Sequence, residues 1–188
     1  VVMPVYNEEE CIEDVLRKWV RKLRGMDIPF RIMALDDGSR DVTPRILDRL
    51  DPEIPELQVI HKPNSGHGPT IRQGYERAES DWVLQIDSDD EIAPGEFPKL
   101  WTARIDADFV IGRRLHRQAP LVRRMITRLE SVLIMALFGG RVRDVNIPFR
   151  LIRRGPLRRM LRVIPSDAFA PNVLMTALAH RHRLQVHE

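Results

Sequence analysis

The first half of the chain alternates short apolar runs with longer amphipathic stretches. Apolar side chains spaced three and four positions apart, as between Ile12 and Leu23, predict helices, whereas short apolar runs bounded by turn residues predict strands. The predicted strands are residues 1–5, 30–35, 56–60, 82–86 and 108–111, and the predicted helices are residues 8–23, 41–50 and 69–78, with a further helix before the last strand. Strands separated by helices indicate an α/β fold with a mostly parallel central sheet flanked by helices.

The second half of the chain has a less regular pattern. It predicts an amphipathic helix over residues 120–138, an extended segment over 144–152, and short helices over 156–163 and 172–180. The longest apolar run, residues 132–138, is far shorter than the roughly 20 residues that span a membrane. The length predicts a single domain over residues 1–188. Because the chain lacks an initiator Met and begins inside a predicted strand, we expect it to be a fragment of a longer protein.

Unusual polar segments follow all five strands predicted in the first half. Ligands of open α/β sheets bind beyond the carboxyl ends of the strands, so these segments are the candidate site. In chain order they are Tyr6-Asn7-Glu8, Asp36-Asp37, Asn64-Ser65-Gly66-His67-Gly68, Asp87-Ser88-Asp89-Asp90-Glu91 and Gly112-Arg113-Arg114.

The sharpest chemical signal is Asp87-Ser88-Asp89, directly after an apolar strand. Two carboxylates this close can share a hard divalent ion, and Mg²⁺ or Mn²⁺ takes few protein oxygens and completes its shell with phosphate and water. Glu91 could add a ligand, directly or through water. The alternative is a solvated turn that caps the next helix, but the buried strand before it favours the metal site.

The segments after the first three strands have features of a nucleotide pocket. Asp36 or Asp37 could accept hydrogen bonds from a base edge or a ribose hydroxyl, and Tyr6 could stack on a base. The alternatives are a turn with Gly38 at positive φ, an N-cap at Asp41, and a partly buried tyrosine. The glycine loop over residues 64–68 matches neither a Walker A loop nor a dinucleotide fingerprint, and by itself it indicates a turn.

The nearly neutral chain, with 30 basic and 27 acidic residues, has an uneven charge distribution. Residues 1–103 carry 13 basic and 21 acidic side chains, whereas residues 104–162 carry 15 arginines and 4 acidic side chains. Arginines suit phosphate and carboxylate recognition, although codon bias would produce the same excess. Nucleic acid is not expected as a partner, because interleaved aromatics and a recognised binding module are missing. The lone Cys11 excludes a disulfide framework and a cysteine-rich zinc site, and favours a reducing cytosol.

Taken in order, these segments resemble glycosyltransferase family 2, the inverting nucleotide-sugar transferases with the Rossmann-like GT-A fold. Within that family the sequence is most similar to the dolichyl- or polyprenyl-phosphate mannose synthase-like branch. The resemblance spans nearly the whole chain. The matching segments are Pro4-Val5-Tyr6-Asn7-Glu8, Asp36-Asp37-Gly38-Ser39-Arg40-Asp41, Asn64-Ser65-Gly66-His67-Gly68, Gln85-Ile86-Asp87-Ser88-Asp89, Ile111-Gly112-Arg113-Arg114 and Asp144-Val145-Asn146-Ile147-Pro148-Phe149-Arg150.

The resemblance implies a role for each matching residue. Tyr6 and Asp37 would contact the base, and Asp87, Asp89 and Glu91 would hold Mg²⁺ or Mn²⁺ on the diphosphate. Arg114 would reach a phosphate and act in catalysis with Asp89. The further nucleotide-sugar contacts are assigned to Pro4, Asn7, Glu8, Gly68, Ser88, Arg124, Arg128 and Ser131.

The implied reaction moves a sugar from a UDP- or GDP-sugar to an acceptor, with inversion at the anomeric carbon. A polyprenyl or dolichyl phosphate acceptor is already anionic and needs no strong protein base, whereas a hydroxyl acceptor would need a carboxylate, for which Asp144 and Glu188 are weak candidates. The branch usually has a basic residue where this chain reads Asn64-Ser65-Gly66, and a Ser-Gly-Phe-Arg element where it reads Ile147-Pro148-Phe149-Arg150. Both departures bear on the acceptor more than on the fold.

Two other functions remain open at this stage. A sugar-phosphate nucleotidyltransferase would also be α/β and metal-dependent, but it would require a glycine-rich loop where this chain has Tyr6-Asn7-Glu8. A non-catalytic, arginine-rich adaptor for a membrane or an acidic partner would not need Asp87 and Asp89. For the transferase we expect a cytoplasmic location, with peripheral attachment at the inner face of the membrane.

Overall fold

A computed structural model describes residues 1–112 and 147–188. The strands are Val2–Val5 (β1), Ile32–Asp36 (β2), Leu57–His61 (β3), Trp82–Gln85 (β4), Phe109–Ile111 (β5), Arg150–Arg153 (β6) and Val186–His187 (β7). The helices are Ile12–Arg24 (α1), Thr43–Glu53 (α2), His67–Arg77 (α3), Phe97–Ala103 (α4), Arg154–Leu161 (α5) and Pro171–Arg181 (α6). Single 3₁₀ turns at Pro94–Glu96 and Arg104–Asp106 flank α4.

The described strands form one sheet in the order β3-β2-β1-β4-β6-β5-β7. Strands β1 to β4 are mutually parallel, whereas β6 runs antiparallel to its neighbours β4 and β5. Strand β6 therefore begins at the edge where β1 to β4 end, and Arg150 pairs there with Gln85. The structure thus confirms the predicted α/β fold with a mostly parallel sheet and flanking helices.

The core fills the space between the sheet and two groups of helices. Helix α1 contacts α2 and the turn before α4, whereas α3, α5 and α6 pack against one another. Trp19 of α1 is fully buried, and its ring centroid lies 6.2 Å from that of Phe97 and 6.3 Å from that of Phe149. Such tilted and edge-on ring pairs stabilise beyond the area that they bury, and they join α1 to α4 and the start of β6.

The predicted elements of the first half are all present, with shifted boundaries. Helix α1 begins at Ile12 rather than Glu8, and the segment before it is held to the start of α2 by bonds from the Glu8 and Glu9 N–H groups to side chains there. Helix α3 begins at His67, two residues earlier than predicted, directly after Gly66 at φ 93°. That left-handed conformation favours glycine and cannot continue a helix.

The predictions for the second half have a mixed outcome. Helices α5 and α6 lie where short helices were predicted, and the extended segment becomes the antiparallel strand β6. The predicted helix over residues 120–138 lies outside the described residues, and β7 was not predicted. Within residues 1–112 and 147–188, every helix is too short or too polar to cross a bilayer.

Candidate functional site

The carboxyl ends of β1 to β4 lie along one edge of the sheet, because these strands are parallel. The register pairs Val5 with Asp36 and Asp36 with His61, so the residues that follow these strands start side by side. Tyr6, Asp37 and Lys62 are those residues. The structure therefore brings together the polar segments that the sequence placed after the first four strands.

The segment after β1 is held to the start of α2 by paired hydrogen bonds. Asn7 adopts φ 54°; its N–H donates to Ser39 Oγ at 3.0 Å, and its side-chain Oδ1 accepts from the Arg40 N–H at 2.8 Å. The Glu8 N–H donates to Thr43 Oγ1 at 2.9 Å. These bonds fix the backbone around Tyr6, which remains 43% exposed. An exposed ring on a fixed backbone is a suitable surface for stacking a flat ligand.

The carboxylate of Asp37 is the anchor of the loop after β3. It is almost fully buried, forms an ion pair with Lys62, and accepts hydrogen bonds from the N–H groups of Ser65 and Gly66 at 2.8 Å each. Burial alone would raise the pKa of Asp37, but the bonds from Lys62, Ser65 and Thr70 outweigh it and lower the pKa. Asp37 is therefore ionised and shapes the loop from inside.

The carboxylate of Asp36, the last residue of β2, forms hydrogen bonds within the fold. It accepts from the Ser39 N–H at 3.0 Å and lies 2.7 Å from His61 Nδ1. The other ring nitrogen of His61 lies 3.0 Å from Asp48 Oδ1. Burial of the ring opposes its charged form, but hydrogen bonds to the two carboxylates outweigh burial and raise the pKa of His61. His61 of β3 thus joins Asp36 of β2 to Asp48 of α2, and Asp37 remains the candidate for ligand contact.

The metal candidates Asp87 and Asp89 follow β4 and differ in their surroundings. Asp87 Oδ1 accepts a hydrogen bond from Gln85 Nε2 at 2.9 Å and lies 3.7 Å from His67 Nε2. Asp89 is exposed, and its Oδ1 accepts from the Glu91 N–H at 3.0 Å. The carboxylate of Asp90 instead reaches Lys18 of α1 at 2.7 Å. Asp87 and Asp89 therefore stay near the end of β4 as the candidate pair of metal ligands, whereas Asp90 is directed to α1.

The turn after β4 is also tied to α1 through its backbone. The Cys11 thiol lies 3.3 Å from the carbonyl oxygen of the buried Ser88 and 3.2 Å from Glu8 Oε2. Burial, followed by the bond to Glu8, raises the pKa of Cys11 to about 12. Cys11 is therefore a neutral thiol that packs between the segments after β1 and β4.

The donor set at this edge suits a hard divalent ion only in part. Among the described residues, no three histidine, cysteine or acidic side chains converge on one point. Two carboxylates supply the oxygen chemistry that Mg²⁺ and Mn²⁺ prefer, and these ions commonly take further oxygens from a phosphate and water. The residues fit an ion shared with a diphosphate rather than an ion held by protein alone. Glu91 also lines a neighbouring cavity of about 840 Å³ with Gly112, Phe149 and Glu188.

Gly68, a predicted nucleotide contact, lies where α3 meets the loop before α6. A Cβ at Gly68 would lie 2.3 Å from the carbonyl oxygen of Ala168 and 2.4 Å from that of Phe169. Glycine is therefore required at this position for packing. Phe169 itself is 93% exposed, so the contact is made by backbone.

Gly68→Ala is expected to lower the free energy of unfolding by about 1–3 kcal/mol, because backbone oxygens cannot retreat as a flexible side chain does. Gly95→Ala is the matched control, since nothing lies within 4 Å of its Cβ position; surface changes of this kind stay within about 0.5 kcal/mol. Chemical denaturation of both variants measures the difference. Equal stability of the two variants would contradict the close contact.

The remaining predicted site residues divide into two groups. Pro4 is buried in β1, where it pairs with Leu35, and it supports Tyr6 from within the sheet. The residues outside the described part of the chain are Arg114, Arg124, Arg128, Ser131 and Asp144.

Sequence reasoning missed four side chains that the structure places at or beneath this edge. Lys62 was visible as the first basic residue after the third strand, and Gln85 as a polar residue in an otherwise apolar strand. His67 belongs to the glycine loop, which by itself indicates only a turn. Asn172 carried no local signal, because its partner Gln85 is 87 positions away.

Comparison of the chain with known proteins identifies a protein family that it matches. The family model described as glycosyl transferase family 2 matches residues 1–161. An undecaprenyl-phosphate 4-deoxy-4-formamido-L-arabinose transferase of Pseudomonas fluorescens is 31% identical over 99% of this chain and 55% of its own length. A transferase of the same description from Pectobacterium atrosepticum is 30% identical over 91% of this chain and 53% of its own length. The chain thus spans about half the length of these relatives.

Solved structures show the same fold at lower identity. The mannosyltransferase PcManGT of Pyrobaculum calidifontis, in complex with GDP-Man and Mn²⁺, superposes with a TM-score of 0.68 at 18% identity, over 99% of this chain and 52% of that one. Glucosyl-3-phosphoglycerate synthase of Mycobacterium tuberculosis, with Mn²⁺, UDP and product, superposes with a TM-score of 0.71 at 17% identity, over 99% and 67%. The GT-A fold, the order of the motifs and the extent of the family match together show that this chain belongs to glycosyl transferase family 2.

Proposed function

We propose that residues 1–188 form one catalytic domain that transfers a sugar from a UDP- or GDP-sugar to a polyprenyl phosphate. The observation that carries the proposal is the convergence of Tyr6, the Asp37 loop, Asp87 and Asp89 at one edge of the sheet. The descriptions of the relatives from Pseudomonas and Pectobacterium, which name undecaprenyl phosphate, support this acceptor class.

The nucleotide base binds between the first two strand ends. The exposed Tyr6 ring stacks on the base, while Pro4, Asn7 and Glu8 hold its backbone in place. Asp37 Oδ2 accepts from the Gly66 N–H, and a carboxylate oxygen has room for a second hydrogen bond from a base N–H. Gly68 and Ser88 keep the neighbouring loops close to the ligand.

Asp87 and Asp89 hold Mg²⁺ or Mn²⁺, with Glu91 as a further ligand, directly or through water. When bound, the ion supplies Lewis-acid stabilisation of the charge that builds on the leaving diphosphate. The structure of PcManGT was solved with GDP-Man and Mn²⁺, which supports a metal of this kind in the family. His67 Nε2 lies 3.7 Å from Asp87 Oδ1, and we assign His67 as a further contact to a phosphate oxygen.

The reaction is a single in-line displacement at the anomeric carbon. A phosphate oxygen of the acceptor forms the new bond to that carbon, and the bond to the nucleoside diphosphate breaks on the opposite side, which inverts the configuration. The acceptor is already anionic, so no side chain has to remove a proton. Arg114 binds a phosphate oxygen, as does Arg124 or Arg128 with Ser131. Asp144 and Glu188 are the candidate bases for a hydroxyl acceptor.

The acceptor's lipid tail requires that the site face a membrane surface. We place the chain at the inner face, where the arginine-rich residues 104–162 meet anionic lipid headgroups.

A thermal-unfolding screen of UDP- and GDP-sugars, each with and without Mn²⁺, tests the donor class. We expect one nucleotide to raise the unfolding temperature, and to do so more with Mn²⁺, because a ligand bound only to the folded state stabilises it by mass action. The stabilising sugar nucleotide is then incubated with undecaprenyl phosphate, and the glycolipid is detected by mass spectrometry. No response to any nucleotide would contradict the proposal and favour a non-catalytic adaptor.

A further inference from the structure

A line of buried polar side chains leads from helix α3, through α6 and β4, to Asp87. Tyr75 OH donates to Asn172 Oδ1 at 3.2 Å, Asn172 Nδ2 donates to Gln85 Oε1 at 3.0 Å, and Gln85 Nε2 donates to Asp87 Oδ1 at 2.9 Å. Tyr75 and Gln85 are fully inaccessible to solvent, and Asn172 is 3% exposed. Buried polar groups of this kind are costly unless they are hydrogen-bonded, so these bonds have a direct structural value.

The hydrogen bonds in this line can point in only one direction. An ionised carboxylate accepts but does not donate, so Gln85 must turn its amide NH₂ group to Asp87 and its oxygen to Asn172. Asn172 must then present its own NH₂ group to Gln85 and its oxygen to Tyr75, whose hydroxyl supplies the last donor. Burial raises the pKa of Tyr75, so the phenol stays protonated. The orientation of each amide is therefore set by its neighbours on both sides.

The middle of the line, at Asn172, is fixed by the first turn of α6. The carbonyl oxygen of Asn172 accepts hydrogen bonds from Arg150 Nη1 and from Thr176 Oγ1, both at 3.0 Å. Arg150, which is fully buried, also donates twice to the carbonyl oxygen of Ile147, at 2.7 and 3.0 Å. Asn172 is thus held through its backbone as well as its side chain, which makes it a rigid support.

We propose that Gln85, Asn172 and Tyr75 form a relay of positioning residues that holds the Asp87 carboxylate in its metal-binding orientation. None of the three residues touches the metal or the substrate; they act through Asp87. Carboxylates that bind metals depend on such outer hydrogen bonds, because these bonds fix the direction of the oxygen lone pairs. The inference rests on the proposed function, since it assigns Asp87 to a divalent ion.

Gln85→Leu and Asn172→Leu each remove one member of the relay, with its two hydrogen bonds, and keep a similar volume. The measurement is the affinity for Mn²⁺ at saturating UDP, followed by the electron paramagnetic resonance signal of free Mn²⁺, with UDP affinity in the absence of metal and thermal unfolding measured in parallel. We expect each substitution to weaken Mn²⁺ binding about 10- to 100-fold, the range for outer-sphere partners of metal ligands, without changing metal-free UDP binding. The double variant is expected to bind Mn²⁺ no more weakly than the single variant with the lower affinity, because either substitution alone interrupts the same relay.

Arg72→Met is the control for a general loss of stability. Arg72 also lies on α3 and is largely buried, but it donates to the carbonyl oxygens of Leu161 and Ile164, away from the relay. We expect this variant to unfold more easily while binding Mn²⁺ as the unmodified chain does. If Gln85→Leu fails to fold, Tyr75→Phe, which deletes one oxygen atom, is expected to weaken Mn²⁺ binding about two- to tenfold, the net value of one hydrogen bond.

The possible results are distinguishable. Unchanged Mn²⁺ affinity in the relay variants, equal weakening by Arg72→Met, or multiplied effects in the double variant would overturn the relay and leave the proposed function intact. An unmodified chain that binds no Mn²⁺ with UDP or with GDP would overturn the metal assignment, and the relay with it.

Discussion

Replacing Asp87 and Asp89 together by asparagine is expected to lower the rate of sugar transfer about a thousandfold. The substitutions keep the shape of the turn but remove the two negative charges that we propose as ligands of the divalent ion. Metal stabilisation of a leaving group amounts to several kcal/mol, and each 1.4 kcal/mol or so changes the rate about tenfold. The measurement is the initial rate of glycolipid formation at saturating Mn²⁺, with the donor sugar nucleotide identified by the unfolding screen.

Asp90→Asn is the matched control for this double variant. The Asp90 carboxylate belongs to the same turn, but it pairs with Lys18 at 2.7 Å and its side chain is 39% exposed. Exposed ion pairs contribute little, about 0–1 kcal/mol, so Asp90→Asn is expected to keep the fold and most of the activity. Undiminished transfer by the double variant, with thermal unfolding showing it folded, would remove the basis for a metal at Asp87 and Asp89.

Lys62→Met is expected to lower the free energy of unfolding by about 3–5 kcal/mol, because it leaves the Asp37 carboxylate buried without its cation. The side chains of Lys62 and Asp37 are only 12% and 5% exposed. Lys99→Met removes a comparable ammonium group from a pair with Glu96 at 2.6 Å, where the lysine side chain is 74% exposed. That control is expected to change stability by about 1 kcal/mol at most. Denaturant unfolding at neutral pH measures both, and equal effects would contradict the structural importance of the Lys62–Asp37 pair.

The pH dependence of the Lys62 effect has a definite sign. The pKa of Asp37 is lowered in the folded chain, so the pair's contribution is present above the unfolded value of about 3.9 and is lost as pH falls through the folded pKa. The stability difference between the unmodified chain and Lys62→Met is therefore expected to be full at about pH 6. It is expected to shrink as the pH falls below the unfolded value and through the lowered pKa of folded Asp37, because the carboxylate is then protonated and no longer pairs with Lys62. A difference that grows on acidification would contradict this assignment.

Much of the fold was predictable because the period of apolar residues follows local backbone geometry. The spacing from Ile12 to Leu23 places one face of α1 in the core, and the apolar run before Asp87 is a buried strand. Boundaries were less predictable because they also depend on distant residues: side chains near the start of α2 hold the segment before α1 through the N–H groups of Glu8 and Glu9. The direction of β6 was not predictable from its own sequence, since an apolar run pairs equally well in either sense.

The candidate site was located by the sequence but not assembled by it. Polar residues after parallel strands must share an edge, so Tyr6, Asp37 and Asp87 could be placed together before their distances were known. That Asp37 is enclosed by Lys62 and by the N–H groups of Ser65 and Gly66 depends on how the loop after β3 folds back. The sequence therefore identified candidate ligand contacts, whereas their internal partners came from the structure.

The sequence by itself determined the α/β class, the edge that carries the candidate site and the family motifs, because each depends on short stretches of neighbouring residues. Only the tertiary structure decided which polar residues support those motifs. Gln85 and Asn172 meet because β4 and α6 are brought together across 87 positions, and Gly68 must lack a side chain because the loop at Ala168 passes within contact distance. Such contacts are set by the order of strands in the sheet and the packing of helices upon it, and no local pattern encodes them.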